Sequence, residues 1–292
     1  MLGEVRGTVR FKEPLSFYTS LRTGGAADVF VVPQDLDDVR HTLSFAHRQQ
    51  LPVVVLGGGN KVLVRDGGIR AVVVKLEGCL ARADFHGEEA MVGAGMGLSA
   101  LVRHAAAQDL GGIEPLVGIP ATVGGAVATR AGTADVWIGD FLSAAYFLYP
   151  DGSFGECKPA ATPSTERRLD IPAGAVIVGC RIRFQRRAAK DIQREVKQRL
   201  KQKNIAQPLA LASAGAVWKD PPGLSATRLI EKSGLRGKRV GSAEISSKHA
   251  NYIINRGGAR AAHVLSLMEM TRERVRAHFH VTLEEDIRIL GE

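Results

Sequence analysis

Cysteine is scarce in this chain, at three residues in 292, and Cys79, Cys157 and Cys180 are odd in number and far apart. They make neither a disulfide framework nor a zinc site. They read as reduced thiols of a cytoplasmic protein, with no metal expected, and the apolar alternation around Cys180 places it in the core. Aromatic residues are also few, at 5%, which leaves little for stacking single-stranded nucleic acid. No apolar run approaches the length of a membrane helix. Met1 to Phe17 carries charges every few residues and lacks the apolar stretch of a signal peptide. Internal repeats and long low-complexity linkers are absent. These lacks point to a cytoplasmic protein with no nucleic-acid and no membrane partner, and a monomer is expected.

What is present supports a folded protein. The length suits about two domains, and 45% hydrophobic residues beside 24% charged ones fill an ordinary core. The formal net charge is +9, which suits nucleic acid, an acidic membrane surface or an anionic small molecule. The Lys and Arg are spread along the chain, so most read as a basic surface without a single partner.

Hydrophobic periodicity gives an alternation of strands and helices. Val29 to Val32 reads as a strand closed by Pro33, then a helix follows with Leu36, Val39, Leu43 and Ala46 on one face and Asp35 as its N-cap. Val53 to Leu56 reads as a buried strand and Ala71 to Leu76 as another, in a βαβ order that favours parallel pairing. Further strands are expected at Ala90–Ala94, Tyr146–Tyr149 and Ala175–Phe184, with helices at Leu98–Gln108, 187–203 and Ala259–Phe279. The 187–203 helix is basic and reads as a solvated amphipathic connector. In the last helix Val264, Leu265, Met268 and Val275 are expected to face inward, with Met270 as end packing.

Two glycine-rich turns stand out. Gly57-Gly58-Gly59 ends the run Val53–Leu56, and Gly124-Gly125 follows Pro120. Glycines let backbone N–H groups approach a phosphate closely, so the pair suggests one large phosphate-containing ligand gripped from two sides. The bland alternative is that each is only a tight turn.

The wording Gly118-Ile119-Pro120-Ala121-Thr122-Val123-Gly124-Gly125-Ala126 resembles the flavin-binding signature of the UDP-N-acetylenolpyruvoylglucosamine reductases. Matching pieces run in order from Leu21–Ala27 through Leu56–Gly59, Leu63–Gly68, Gly93–Gly95, Gln207–Leu209, Ser213–Gly215 and Lys248–Asn251 to Ile287–Gly291. The resemblance implies an α/β (α+β) protein. A two-part FAD-binding domain of the vanillyl-alcohol-oxidase (PCMH) type would span 16–186, as 16–75 and 76–186, before a smaller α/β substrate domain at 187–292. It implies an NADPH-using reductase acting on a UDP-sugar in peptidoglycan precursor synthesis. It assigns the cofactor to Gly57, Gly58, Gly59, Asn60, Lys61, Gly118, Ile119, Pro120, Thr122, Gly124 and Gly125. Asn60 stands where related covalent-flavin oxidases often have His, so the FAD is expected to be noncovalent. Lys219, Asp220, Lys248 and Asn251 fall on the substrate side, and His249 reads as structural.

The resemblance also exposes departures. Asn60-Lys61 replaces the family's Ser-Asn, and Lys61 adds a cation that could meet a phosphate. Thr129-Arg130 replaces Met-Asn. The family's serine proton donor falls on Ala216, and its glutamate on Asp286, which is one methylene shorter, or about 1.5 Å. Its Tyr-Arg segment has no counterpart in Ala161–Arg168, where only Arg167 and Arg168 offer a cation. Loss of a general acid costs about 10²–10⁴ in rate, so the proton-delivery step is expected to be slow. Two further readings remain open: a flavoprotein with another substrate, and a noncatalytic flavin- or nucleotide-binding protein.

Overall fold

A computed structural model describes residues 2–133, 136–158, 169 and 171–292, without the side chains of Leu2 and Cys79. The chain forms two compact units, each discontinuous in sequence. The first comprises Met1–Phe11, Val29–Gly58 and Ala71–Lys201, and the second Lys12–Asp28, Gly59–Arg70 and Gln202–Glu292. A linear boundary at 186–187 is therefore not where the chain divides. Leu21 and Leu63 are buried in the core of the second unit, which draws their segments there. Val196 packs on the core of the first unit, so most of the 187–203 helix stays with it.

The first unit carries two larger sheets beside the two-stranded pair of Leu110–Gly111 with Gln185–Arg186. One is ordered Thr8–Pro14, Ala26–Val32, Ile69–Lys75, Val53–Leu56, and its last two strands pair in parallel with Val53 opposite Val72. The expected parallel pairing is found between these two strands, while Ala26–Val32 and Val53–Leu56 are separated by Ile69–Lys75. Val53–Leu56 is an edge strand rather than a buried one, and Val55 keeps 40% of its surface. Helix α1 (Leu36–Arg48) starts where expected, because the Asp35 carboxylate accepts the N–H groups of Asp37 and Asp38. Asp38 is fully buried. Burial opposes its charge, but the N–H groups of Arg6, Gln34 and Gly7 hold its carboxyl below the usual range.

The other sheet has five strands, ordered Phe154–Cys157, Leu142–Leu148, Val176–Arg183, Glu89–Gly93, Ala83–His86, and every pairing in it is antiparallel. Val176, Val178, Cys180, Ile182 and Phe184 are buried along one edge of the alternation. Burial pushes the Cys180 thiol up to about 12, which makes it inert core. Helix α2 (Leu98–Ala106) covers this region with Leu98, Leu101, Val102 and Ala105. A short helix α3 (Val123–Thr129) follows the Pro120 turn. Helix α4 (Ala189–Ala206) buries Ile192 while Leu200 stays exposed, as a solvated connector should.

The second unit is built on an antiparallel sheet ordered Ala212–Ala216, Tyr252–Asn255, Ala243–Ile245, Arg239–Val240. Helix α5 (Ala226–Lys232) and helix α6 (Ala261–Phe279) pack with it. In α6 Val264, Met268 and Val275 face the core, joined by Leu267 and Thr271, while Leu265 is only half-buried. Positions 264, 267, 268, 271 and 275 share one helical face, whereas 265 lies about 100° away from 264. Val62–Val64 pairs in parallel with Arg288–Leu290. Buried Glu244 lies between Arg256 and Arg239, and their hydrogen bonds hold its carboxyl below the ordinary range. Among the described residues no helix is long and apolar enough to cross a membrane.

Candidate active site

In the first unit the two glycine turns meet. A β-carbon on Gly57 would lie 2.7 Å from Thr122 Oγ1 and 3.7 Å from the Gly125 α-carbon. One on Gly124 would lie 2.7 Å from the Ala94 β-carbon. Segments about 60 residues apart therefore come together where Gly57 has no side chain, and a β-carbon there would crowd the Thr122 hydroxyl. Gly118 has φ 72°, the left-handed region, and its N–H donates to Ser99 Oγ at 3.2 Å. That fixes the turn into Ile119, half-buried, and Pro120, exposed.

One part of the sequence reading changes. The N–H groups of Gly124 and Gly125 are not reserved for a phosphate. Gly124 donates to the Ala94 carbonyl at 2.9 Å, and Gly125 donates to Thr122 Oγ1 at 3.2 Å, the N-cap bond of α3. These glycines allow close packing of α3 on Gly93-Ala94-Gly95 instead. Composition and spacing could not separate the two roles, because both require a missing side chain. Lys75 escaped the sequence reading: its ammonium donates to the Gly57 carbonyl at 3.1 Å and lies 3.1 Å from Glu77. Its only signal was a lysine closing an apolar strand. The absent side chains at Gly57 and Gly125, with the Lys75 ammonium on the Gly57 carbonyl, suit close approach of a flat ring carrying a pyrophosphate. Arg130 ends α3 in the left-handed region and is exposed.

A segment of the second unit starts at Gly59 while Gly57 and Gly58 belong to the first, so the triple glycine is divided between the units. A β-carbon on Gly59 would lie 2.0 Å from the Tyr18 carbonyl oxygen, and the Gly59 carbonyl accepts the Ser20 N–H at 3.0 Å. Its glycine is required by that local approach. Asn60 is half-buried.

Lys61 is the centre of a cluster. Its ammonium donates to the Ala216 carbonyl at 2.8 Å and pairs with the Asp286 carboxylate. It is therefore engaged within its own unit rather than held out toward a phosphate, because a carboxylate and a carbonyl lie within its reach. Backbone bonds fix the cluster: Asp286 N–H donates to Val217 O at 2.7 Å, and Arg288 N–H to Lys61 O at 2.8 Å. Between Ser213 and Ala216 the strand carries an extra residue against its partner, with Gly215 at φ 75°. This bulge re-aims Ala216 toward Lys61.

The remaining expected substrate residues are placed differently. Asn251 is buried and spends both ends of its amide on Trp218, accepting its N–H at 2.9 Å and donating to its carbonyl at 2.8 Å. These two bonds position the 216–220 segment. The Asp220 carboxylate accepts the Ala226 N–H at 2.7 Å at the start of α5. Lys219 meets Glu284 at 3.2 Å. Lys248 is exposed and donates to the Asn204 carbonyl. The local order of these residues was legible, but their partners lie up to 65 residues away. His249 packs edge-on to Tyr252 with ring centres 4.7 Å apart, and burial lowers its affinity for a proton. Burial, with the charge of Asp286, pushes the Tyr252 phenol up. The segment holding Arg167 and Arg168 lies outside the described residues.

Comparison with known proteins agrees with this layout. Residues 27–158 match an FAD binding domain, and residues 207–290 match the C-terminal domain of UDP-N-acetylenolpyruvoylglucosamine reductase. The chain is 37% identical to the UDP-N-acetylenolpyruvoylglucosamine reductase of Syntrophotalea carbinolica, over 100% of this chain and 97% of that one. It is 39% identical to that of Geobacter metallireducens, over 99% and 96% respectively. The crystal structure of the Thermus caldophilus UDP-N-acetylenolpyruvylglucosamine reductase superposes with a TM-score of 0.83 at 34% identity, covering 98% of this chain and all of that one. A relationship that runs the full length of both chains, with the glycine cradle in the FAD-binding part, shows that this chain belongs to the UDP-N-acetylenolpyruvoylglucosamine reductase family.

Proposed function

We propose that this chain reduces UDP-N-acetylenolpyruvoylglucosamine to UDP-N-acetylmuramate with NADPH, through a noncovalently held FAD. The observation that carries this reading is the close approach of Gly57 to Thr122 and Gly125, which leaves no room for a side chain at 57, in a chain related over its whole length to such reductases. FAD, when bound, supplies the ring that accepts a hydride from NADPH and passes it to the enolpyruvyl group. The chain's own residues do the rest. Gly57, Gly58 and the 118–125 segment form the walls against which the cofactor lies, and Lys75 holds the Gly57 carbonyl in place. Hydride addition builds negative charge next to the substrate carboxylate, so a cation and an acid are needed there. The cluster of Lys61, Ala216 and Asp286 supplies both kinds of group. Lys219 and Lys248, both exposed cations, suit the diphosphate of the UDP-sugar, and we place the protein in the cytoplasm as a monomer.

The test is direct. The purified protein should show an oxidised-flavin spectrum, release the flavin into the supernatant on acid precipitation, and oxidise NADPH only when the UDP-sugar is added. A colourless protein that binds no added FAD, or one whose reduced flavin the substrate never reoxidises, would overturn the reading.

A further inference from the structure

Three positions that depart from the family's wording lie far apart in sequence. Residues 61, 216 and 286 are separated by 155 and 225 positions from the first of them. In the structure they meet at one ammonium. The Lys61 ammonium stands on the carbonyl of Ala216, the residue at the family's serine position, and on the carboxylate of Asp286. The shorter Asp286 draws its carboxylate back by about one bond length, which leaves space for the Lys61 ammonium beside it. An ammonium has three N–H bonds. Two are used by Ala216 O and Asp286 Oδ2, and among the described residues nothing accepts the third. Both side chains keep more than a third of their surface, so the group is accessible to a ligand.

We propose that Lys61 is the proton donor of this enzyme, replacing the acid absent at Ala216, with Asp286 as the residue that orients it. The inference rests on the reductase reading above. Once the hydride has added to the terminal carbon of the enolpyruvyl double bond, an electron pair lies on the carbon next to the carboxylate. That pair takes a proton from Lys61 Nζ. The N–H bond breaks with its electrons staying on nitrogen, a C–H bond forms, and the neutral amine regains a proton from water. No further oxidant or reductant is involved, because NADPH has already supplied the hydride. Tyr252, opposite Ala216 in the strand register, is the other nearby acid. It is buried, whereas the Lys61 side chain keeps more than a third of its surface and can meet a ligand.

Stopped-flow measurement on the FAD-loaded full chain separates the two half-reactions: bleaching by NADPH, then anaerobic reoxidation by UDP-N-acetylenolpyruvoylglucosamine. Lys61→Met should slow reoxidation by about 10²–10⁴ while bleaching stays within about threefold. Adding Ala216→Ser to that variant should recover at least about tenfold, because a hydroxyl acid returns. Lys61→Arg keeps the charge but holds its protons too tightly to donate. It should slow reoxidation by at least about tenfold, which a purely structural or electrostatic role would not produce, and it stands in if Lys61→Met fails to fold. Reoxidation by Lys61→Arg at the wild-type rate would overturn the proposal while leaving the reductase reading intact. A wild-type flavin that the substrate never reoxidises would instead sink that reading, and this inference with it.

Discussion

The glycine cradle of the first unit and the lysine cluster of the second have diverged by different rules. In the cradle, Gly57 and Gly124 each stand where a β-carbon would come within 2.7 Å of another atom. Substitution there has no neutral option, since the facing atoms belong to a capping threonine and a packed alanine. The cluster is made of side-chain ends that are partly exposed. There a hydroxyl, an amide and a carboxylate can be exchanged for an ammonium and a shorter acid while the backbone stays unchanged. Steric crowding fixes the residues of the cradle, whereas the partly exposed side-chain ends of the cluster can be exchanged.

The largest effect that would test this contrast is at Gly124. Gly124→Val should abolish flavin retention, because overpacking against Ala94 forces α3 off Gly93-Ala94-Gly95. The ratio of flavin absorbance to protein absorbance measures it. A variant that keeps its flavin stoichiometrically would show that the cradle is less constrained than the geometry states.

Asn251→Ala comes next. It strips both backbone groups of Trp218 of their partners in a buried place, and each such loss costs about 1–3 kcal/mol. A lower melting temperature with an unchanged KM for the UDP-sugar is expected. An intact melting temperature with a raised KM would return Asn251 to the substrate.

Glu244→Gln should be milder, about 1–2 kcal/mol, since Arg239 and Arg256 remain solvated. Its pH dependence has a definite sign. The folded-state carboxyl is held below its ordinary value by Arg256 and Arg239. Its stabilisation is therefore full above the unfolded carboxylate pKa and is lost as pH falls through the folded one. Thermal melts of wild type and Glu244→Gln should converge at acid pH. A gap that stays constant down to strongly acid pH would break the assignment.

The smallest change expected is in Ala216→Ser alone. With Lys61 already delivering the proton, reoxidation should rise by less than about tenfold. A gain of about 10³ would mean that proton delivery is vacant in the wild type, not reassigned.

Sequence and structure divide the credit at identifiable residues. The helix from Asp35 and the strand from Val176 were readable because caps and apolar alternation act over a few residues. The direction of the Val53–Leu56 strand was readable, but its exposure was not. Being an edge depends on which strand pairs beyond it, and nothing local specifies that. Leu265 was expected on the inner face of α6, but the helical period that groups 264, 268 and 275 admits Leu267 and sets 265 aside.

What the sequence determined by itself was the family, the glycine turns and the departures at 61, 216 and 286, since each is a matter of residue identity and order. Only the tertiary structure decided that Gly124 and Gly125 spend their N–H groups on packing and capping. It also decided that Asn251 belongs to Trp218, and that the departures share one ammonium. Hydrogen bonds and ion pairs act over about 3 Å, and chain positions more than a hundred residues apart come within that distance only when the chain is folded.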